Sequence, residues 1–444
     1  MSTQRTERLP GRKFAIAVIL GVLLSLPLLV VYLLIFDREQ QSRTARDSIV
    51  GGWGAEQTLA GPFLAIPYDQ VVQTITDGKT VVATQTRELT IAPSRVSIDT
   101  VVAPELRRRS IYQAVVYRAA VRATGVFRLP DIAKLGIDPK TLRFAQAELR
   151  FGISNAKGLG GSQPKVTING APLQLIPGSN LALLDNSGFS GVVGAAAALG
   201  SSVAFDIAFD LQGNGKISLI PTAADTTWSV RSSWTSPSFV GSFLPIDRHA
   251  GANGFSARWR VGNLALNRPV VSLGEPKGSE NDAISVALIN PVDLYDRVGR
   301  AAKYGALFIG FTFLTLLMFD VVGGTHISGV AYFLVGAGLI LFFIMLLAFA
   351  EVIGFPLAYV IASGAIIGLN TTYIGAVLAS WQRAAILGGM LTGLYIVLYV
   401  LLSLEAYALL IGSLMLFAAL ALVMYATRKI DWSVAGREAN AIEY

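Results

Sequence analysis

Between Tyr304 and Thr427 only four residues carry a formal charge: Asp320, Glu351, Arg383 and Glu405. An ionisable side chain inside or at the end of an apolar span is costly, so each is by default a candidate for function. Glu351 and Glu405 stand out, because the order of spans set out below brings both to the same outer interface. If they face each other in a poorly hydrated site, the two carboxylates repel and one holds a proton near neutral pH. The plainer reading places each at a helix end, in water, as a boundary marker.

Elsewhere the side chains offer little for catalysis. His249 lies in the Gly-rich stretch Asp247 to Gly254, and His326 follows Asp320 in a link between spans. Asp247, His249 and a serine are the parts of a nucleophilic triad, but a solvated loop histidine explains the same residues. One histidine in each place makes no zinc site, so no metal, cofactor or catalytic residue is expected. Gly158-Leu159-Gly160-Gly161 and Gly213-Asn214-Gly215-Lys216 lack the strand-to-helix context of a phosphate loop and read as turns. Arg107-Arg108-Arg109 is either a solvated turn or a contact for anionic headgroups or a phosphate-bearing polymer. Trp228 to Pro245, aromatic and Ser-rich, is either a binding edge for glycan or peptide or a buried strand with a Pro-Ser turn.

The elements that position these residues begin in the membrane. Phe14 to Phe36 holds 23 residues without a charge, about 34 Å of helix against a hydrocarbon core of about 30 Å. Arg5, Arg8, Arg12 and Lys13 precede it and predict a cytoplasmic N-terminus. Ile35-Phe36-Asp37-Arg38 is no cleavage site, so the helix reads as an uncleaved anchor. Apolar runs near 302–322, 329–350, 353–378, 384–403 and 406–426 predict five more spans. Both termini then face the cytoplasm, in keeping with Arg383, Arg428 and Lys429 at inner positions. Within 353–380, Gly364, Gly368 and Asn370 leave open a broken or re-entrant helix. Gly389 and Gly393 make a Gly-x-x-x-Gly, read as a helix-packing stripe.

The stretch between the first two spans reads as strands and turns. Val71 to Thr76 and Thr80 to Thr86 flank Asp77-Gly78-Lys79 as one hairpin, and Ala204 to Leu211 and Ile217 to Pro221 flank residues 212–216 as another. Ile284 to Ile289 reads as a last strand. Helix is expected only for Asp37 to Ile49, continuing the anchor, and for Pro130 to Leu135, with Gly191 to Gly200 ambiguous. The expected domains are a cytoplasmic N-terminus (1–13), a transmembrane anchor (14–36), a mainly β extracytoplasmic domain (37–301), a bundle of about five helices (302–426) and a cytoplasmic tail (427–444). The β domain is either two layers or two subdomains divided near residue 135.

Composition agrees with a multi-pass membrane protein: 53% hydrophobic and 15% charged residues with a mean hydropathy of +0.55 are too apolar for an ordinary soluble chain. The net charge of +7 is spread too thinly to suggest nucleic acid. With no cysteine, the outer domain holds together without disulfides, which its size permits.

Many segments, in one order, resemble the CreD family of inner-membrane proteins, also called colicin-tolerance proteins. They are Gly61-Pro62-Phe63-Leu64-Ala65-Ile66-Pro67-Tyr68, Arg109-Ser110-Ile111-Tyr112 with Val116-Tyr117, Ser233-Trp234-Thr235-Ser236-Pro237-Ser238-Phe239 with Gly241 and Phe243-Leu244-Pro245, and Arg300-Ala301 with Lys303-Tyr304-Gly305. Further matches are Glu351 with Ile353-Gly354-Phe355 and Ala358-Tyr359, Glu405 with Tyr407-Ala408-Leu409-Leu410, and Arg428 with Asp431-Trp432. Arg109, Trp234, Arg300 and Lys303 join the candidate residues on this ground. Two positions depart from the family pattern: Glu351-Val352 replaces Glu-His, and Asp320 replaces a glutamate. The resemblance implies a bacterial inner-membrane location and an envelope-integrity or envelope-stress role with no established reaction. The expectation is therefore a non-enzymatic protein whose outer domain senses or binds an envelope protein or cell-wall partner. The alternative is a transporter or lipid-handling protein that uses the helix bundle.

Overall fold

The computed structural model describes residues 10–403 except 77–78, 111, 162, 195–201, 277, 290–293 and 322–326, together with scattered residues from 410 to 428. Its first element, α1 (Pro10–Val50), is one helix of 41 residues with Pro27 inside it. Beyond the apolar run the helix continues on pairs one turn apart. Gln41 Nε2 donates to Asp37 Oδ2 at 2.8 Å, and Arg43 pairs with Glu39 at 2.5 Å.

The chain then forms one compact unit, Thr44–Pro291, and a second consists of Met1–Arg43 with Val292–Tyr444. The strands of the first are β1 (Gln57–Thr76), β2 (Lys79–Ile91), β3 (Arg95–Arg109), β4 (Tyr112–Arg128), β5 (Glu148–Ile153), β6 (Lys165–Ile168), β7 (Ala171–Pro172), β8 (Ile176–Pro177) and β9 (Gly188–Val192). They continue as β10 (Ser202–Asn214), β11 (Lys216–Ile220), β12 (Asp225–Ser232), β13 (Pro237–Gly241), β14 (Asp247–Gly251), β15 (Gly254–Gly262), β16 (Val271–Leu273) and β17 (Ile284–Leu288). One sheet runs β13-β17-β11-β1-β5-β9-β8, with β2 on β1 and β16 on β2, and the other runs β14-β15-β12-β3-β4-β10-β6-β7. Sequence on either side of residue 135 contributes to both sheets, and a division there has no counterpart in the strand order.

Burial alternates along the strands as a half-buried sheet requires. In β10, Val203, Phe205, Ile207, Phe209 and Leu211 point inward, and in β15 Phe255, Ala257, Trp259 and Val261 do. The inner faces of the two sheets share one apolar core. Phe151 of β5 meets Phe209 of β10 edge-on at 5.5 Å, and Phe239 of β13 meets Trp259 of β15 at 5.8 Å, so aromatic contacts join the two layers.

The first expected hairpin is present: β1 and β2 pair out to Thr76 and Lys79, so Lys79 is a strand residue, and Asp77-Gly78 lies outside the described residues. The second is not a hairpin. β10 pairs with β4 and β6, whereas β11 pairs with β1 and β17, so residues 212–216 carry the chain from one sheet to the other. Gly215 turns the chain at φ +58°, in the left-handed region that glycine occupies without strain. Tyr117, fully buried on β4, donates its hydroxyl to the carbonyl of Lys216 on β11 at 2.9 Å. Burial and the nearby Glu56 carboxylate push this phenol well above its ordinary range, so it stays a donor. A Cβ on Gly213 would sit 2.4 Å from that hydroxyl. Tyr117→Phe is expected to lower the stability of the sheet domain by about 1–3 kcal/mol in chemical denaturation, because the carbonyl stays buried without its donor. An unchanged midpoint would mean that water takes over the carbonyl. The short helix expected at Pro130 to Leu135 is a single 3-10 turn, Ile132–Leu135. Of Gly191 to Gly200, the first two residues end β9 and 195–200 lie outside the described residues.

In the helical unit follow α2 (Leu294–Lys303), α3 (Gly305–Val321), α4 (Gly329–Ile353), α5 (Phe355–Leu378) and α6 (Trp381–Ser403). Among the described residues, five helical stretches are long and apolar enough to cross a membrane: one in α1, the joined α2–α3, α4, α5 and α6. The expected last span, 406–426, falls mostly outside the described residues. Helix α2 starts eight residues before the expected run at 302, because Asp296, Arg297, Arg300 and Lys303 hide it from hydropathy while Tyr295, Val298, Ala301 and Ala302 are buried at helical spacing. Helix α5 is unbroken through Gly364, Gly368 and Asn370, which excludes the re-entrant alternative for that stretch. In lipid every backbone group needs its helical partner, so glycines there do not end a helix as they would in water.

Among the described residues the Gly-x-x-x-Gly of α6 makes no packing seam, since a Cβ at Gly389 or Gly393 would meet nothing within 4 Å. One residue earlier, a Cβ at Gly388 would lie 2.7 Å from Thr371 Oγ1 of α5. Gly336 is closed in the same way by Leu24 of α1, and Gly338 by Asn370. The phase of the glycines about the helix, not their spacing, decides which of them the bundle uses.

Candidate functional site

Glu351 sits in the last turn of α4 and is half-buried. Tyr295 of α2 donates its hydroxyl to Glu351 Oε1 at 3.1 Å, and Arg297 of α2 places its guanidinium 5.7 Å from the Phe355 ring at the start of α5. The sequence reading missed Tyr295 and Arg297, because α2 has no hydropathy signal and its contact with α4 spans 56 positions. Glu405 lies outside the described residues, and so does any approach to Glu351. Asp320 is buried at 2% exposure in the last turn of α3. His326 is outside the described residues.

Arg300 and Lys303 come together with Glu39, Tyr32, Tyr295 and Asp296 around a polar cleft of about 330 Å³ between α1 and α2. A second cavity of about 220 Å³ lies between α1 and α3, walled by apolar side chains with glycines at 21 and 310.

In the sheet domain the arginine run is engaged by the fold. Arg109 donates to Ser48 Oγ, and Arg107 lies 3.8 Å over the ring of Trp53, which Arg118 also faces at 5.3 Å. Trp53 Nε1 donates to the carbonyl of Tyr117 at 3.2 Å. Trp53 is a further anchor that sequence reasoning passed over, and its one signal is its place just after the long helix. Trp234 donates from Nε1 to the carbonyl of Ile289 at 3.0 Å, tying its segment to the end of β17. Phe239, in the same stretch, packs against the core.

His249 is a strand residue, not part of a Gly-rich loop: β14 and β15 form a hairpin with His249 opposite Ser256. All five residues of β14 are exposed, and among the described residues no strand pairs with its outer edge. Beside this hairpin lies a groove of about 670 Å³ lined by Val101, Ala103, Ser232, Ser233, His249 and Asn253, among others. A smaller hollow of about 240 Å³ adjoins it, edged by Arg231, Arg248 and Arg258 against Asp99 and Asp247. Among the described residues no group of three histidines or carboxylates converges as a metal site.

At the other end of β12, Asp225 accepts two bonds from Arg260, at 3.0 and 2.9 Å, with Arg95 at 3.9 Å. These hold its carboxyl below the usual carboxylate range. A group with a depressed folded pKa stabilises above its unfolded value and loses that contribution as pH falls through the folded one. Asp225→Asn is therefore expected to lower the melting temperature at pH 7 and to narrow the gap to wild type below about pH 4, the ordinary carboxylate range. An equal deficit at pH 7 and pH 3 would show that the substitution acts through packing alone.

The family model described as inner membrane protein CreD matches residues 10–433. The chain is also similar to the inner membrane protein CreD of Escherichia coli (strain K12), at 30% identity over 423 residues that cover 93% of this chain and 91% of the relative.

Proposed function

The chain belongs to the CreD family of inner membrane proteins, and from that premise we propose that it is a non-enzymatic envelope-integrity protein whose sheet domain stands on the periplasmic side and receives a partner there. Both termini face the cytoplasm in this reading, since Arg5, Arg8, Arg12 and Lys13 precede α1, and Arg428 and Lys429 follow the last apolar run.

The observation that carries it is the groove beside β14. A free sheet edge offers a row of backbone donors and acceptors, and proteins usually cover or blunt such an edge. Here the edge adjoins a hollow with apolar walls at Val101 and Ala103 and polar groups at Ser232, Ser233 and His249. That combination suits an extended segment of an envelope protein, held by strand addition and read by alternate side chains. Ala103 is exposed on the groove wall, so Ala103→Trp fills the groove without disturbing the core. In a deletion strain the wild type is expected to restore resistance to detergents and cell-wall antibiotics. Ala103→Trp is expected to leave abundance normal and restore less than a tenth of that resistance, roughly the loss of about 1.4 kcal/mol or more of binding. Full rescue by Ala103→Trp removes the groove from the function.

A further inference from the structure

The helical unit carries a feature of its own. The polar cleft at Tyr32, Glu39, Asp296, Arg300 and Lys303 and the apolar cavity at Gly21, Ser25, Ile309, Gly310 and Phe313 follow one another along α1 and the consecutive helices α2 and α3. The cleft takes α1 at residues 32–39 and α2 at 295–303, while the cavity takes α1 at 18–25 and α3 from 306 onward. In each case the apolar part starts within about two helical turns of the polar one.

The apolar part is open because of glycine. A Cβ at Gly21 or at Gly310 would meet nothing within 4 Å, so neither helix fills the space that these positions leave. Ser25, the polar residue on this wall, turns its hydroxyl to the Val22 carbonyl of its own helix at 2.6 Å. What it presents to the cavity is therefore apolar. Val18 of the cavity is 47% exposed, and Tyr32 and Phe36 of the cleft are exposed by 41% and 53%, so each of the two opens sideways along α1.

The polar part pairs charges of both signs. Arg300 and Lys303 stand one turn apart on α2, with Asp296 one turn before Arg300 and Glu39 facing from α1. Glu39 also pairs with Arg43 at 2.5 Å. Cations and carboxylates in one cleft, over an open apolar slot, have the layout of a zwitterionic phospholipid.

We propose that the gap between α1 and α2–α3 binds one phospholipid with a phosphate-ammonium headgroup. Its phosphate sits on Arg300 and Lys303, its ammonium on Asp296 and Glu39, and an acyl chain lies over Gly21 and Gly310. Charge-assisted bonds to the phosphate supply the hold that an ordinary lipid of the surrounding layer lacks. Tyr295, which lines the cleft, also donates to Glu351, so the headgroup meets the hydrogen bond that places that carboxylate.

The full chain, purified in mild detergent and analysed by native mass spectrometry, is expected to retain one phospholipid, drawn from an equimolar mixture of phosphatidylethanolamine and phosphatidylglycerol with about tenfold preference for the former. Gly310→Leu, which fills the slot from an open position, and Lys303→Gln are each expected to reduce retention by about tenfold or more. Gly389→Leu, at an exposed position of α6, should leave it unchanged. No retained lipid, retention unaffected by Gly310→Leu, or equal loss in Gly389→Leu would overturn the site. Preference for phosphatidylglycerol would overturn the pairing of the ammonium with Asp296 and Glu39. Because none of these outcomes depends on the groove at β14, the two proposals fail separately.

Discussion

Trp228→Ala should leave a protein whose sheet domain unfolds well below the wild-type temperature. Trp228 is fully buried on β12 and stacks on Trp259 at 4.9 Å, so the substitution opens a cavity at the centre of the core. Its Nε1 also donates to Thr100 Oγ1 at 3.0 Å, and Thr100 is itself buried, so one change removes the ring and strands a hydroxyl. Losses of this kind run to about 3–5 kcal/mol, a large part of the roughly 5–15 kcal/mol that holds a domain together. The measurement is limited proteolysis of the purified protein over a temperature series. Cleavage between residues 44 and 291 should begin well below the wild-type temperature while the helical part stays intact. Trp228→Phe should fall between the two, and a wild-type profile for Trp228→Ala would mean that the core relaxes around the gap. Trp234→Phe, on a partly exposed ring with one carbonyl contact, should cost about 1 kcal/mol.

The second large effect concerns Glu351. In a deletion strain, Glu351→Gln is expected to restore little of the lost resistance to detergents and cell-wall antibiotics, although the protein is inserted at normal abundance. Glutamine keeps the shape and can still accept from Tyr295, so what the variant removes is the charge. Tyr295→Phe should reproduce part of the defect, because the Tyr295 hydroxyl orients the carboxylate. Glu405→Gln is expected to resemble Glu351→Gln, and the double variant to be little worse than either, as residues that act as a unit are not additive. If the Gln variants restore resistance in full, both carboxylates only mark helix ends, and the functional weight moves to the sheet domain.

What could be read from sequence were the features written locally. The anchor and the apolar spans are long runs without charge, and the hairpin of β1 and β2 is two alternating runs around Asp77-Gly78. Strand β17 shows itself by five apolar or small residues before the helices. Pairings between distant segments were not legible. Gln57 of β1 aligns in parallel with Ile217 of β11 across 160 positions, and no local pattern distinguishes that partner from a hairpin neighbour. Residues 212–216 therefore looked like a turn within one sheet when they are a step between two. The same limit hid the contact of Tyr295 with Glu351 and the stacking of Arg107 on Trp53. Glu351 could be picked out by its charge near an apolar run and Arg300 and Lys303 only by the family resemblance, and the cleft that gathers Arg300 and Lys303 depends on how α1 and α2 meet. For the glycines of α6 the spacing was visible and the facing was not.

The sidedness of the chain is directly measurable, because the sequence has no cysteine. Single cysteines are placed at Asn253, in the exposed turn between β14 and β15, and at Ser2, before α1. Cells with a permeabilised outer membrane are then treated with a maleimide that cannot cross the inner membrane. Asn253→Cys should label in intact cells and Ser2→Cys only after lysis. Labelling of Ser2→Cys with protection of Asn253→Cys would put the sheet domain in the cytoplasm and contradict the account.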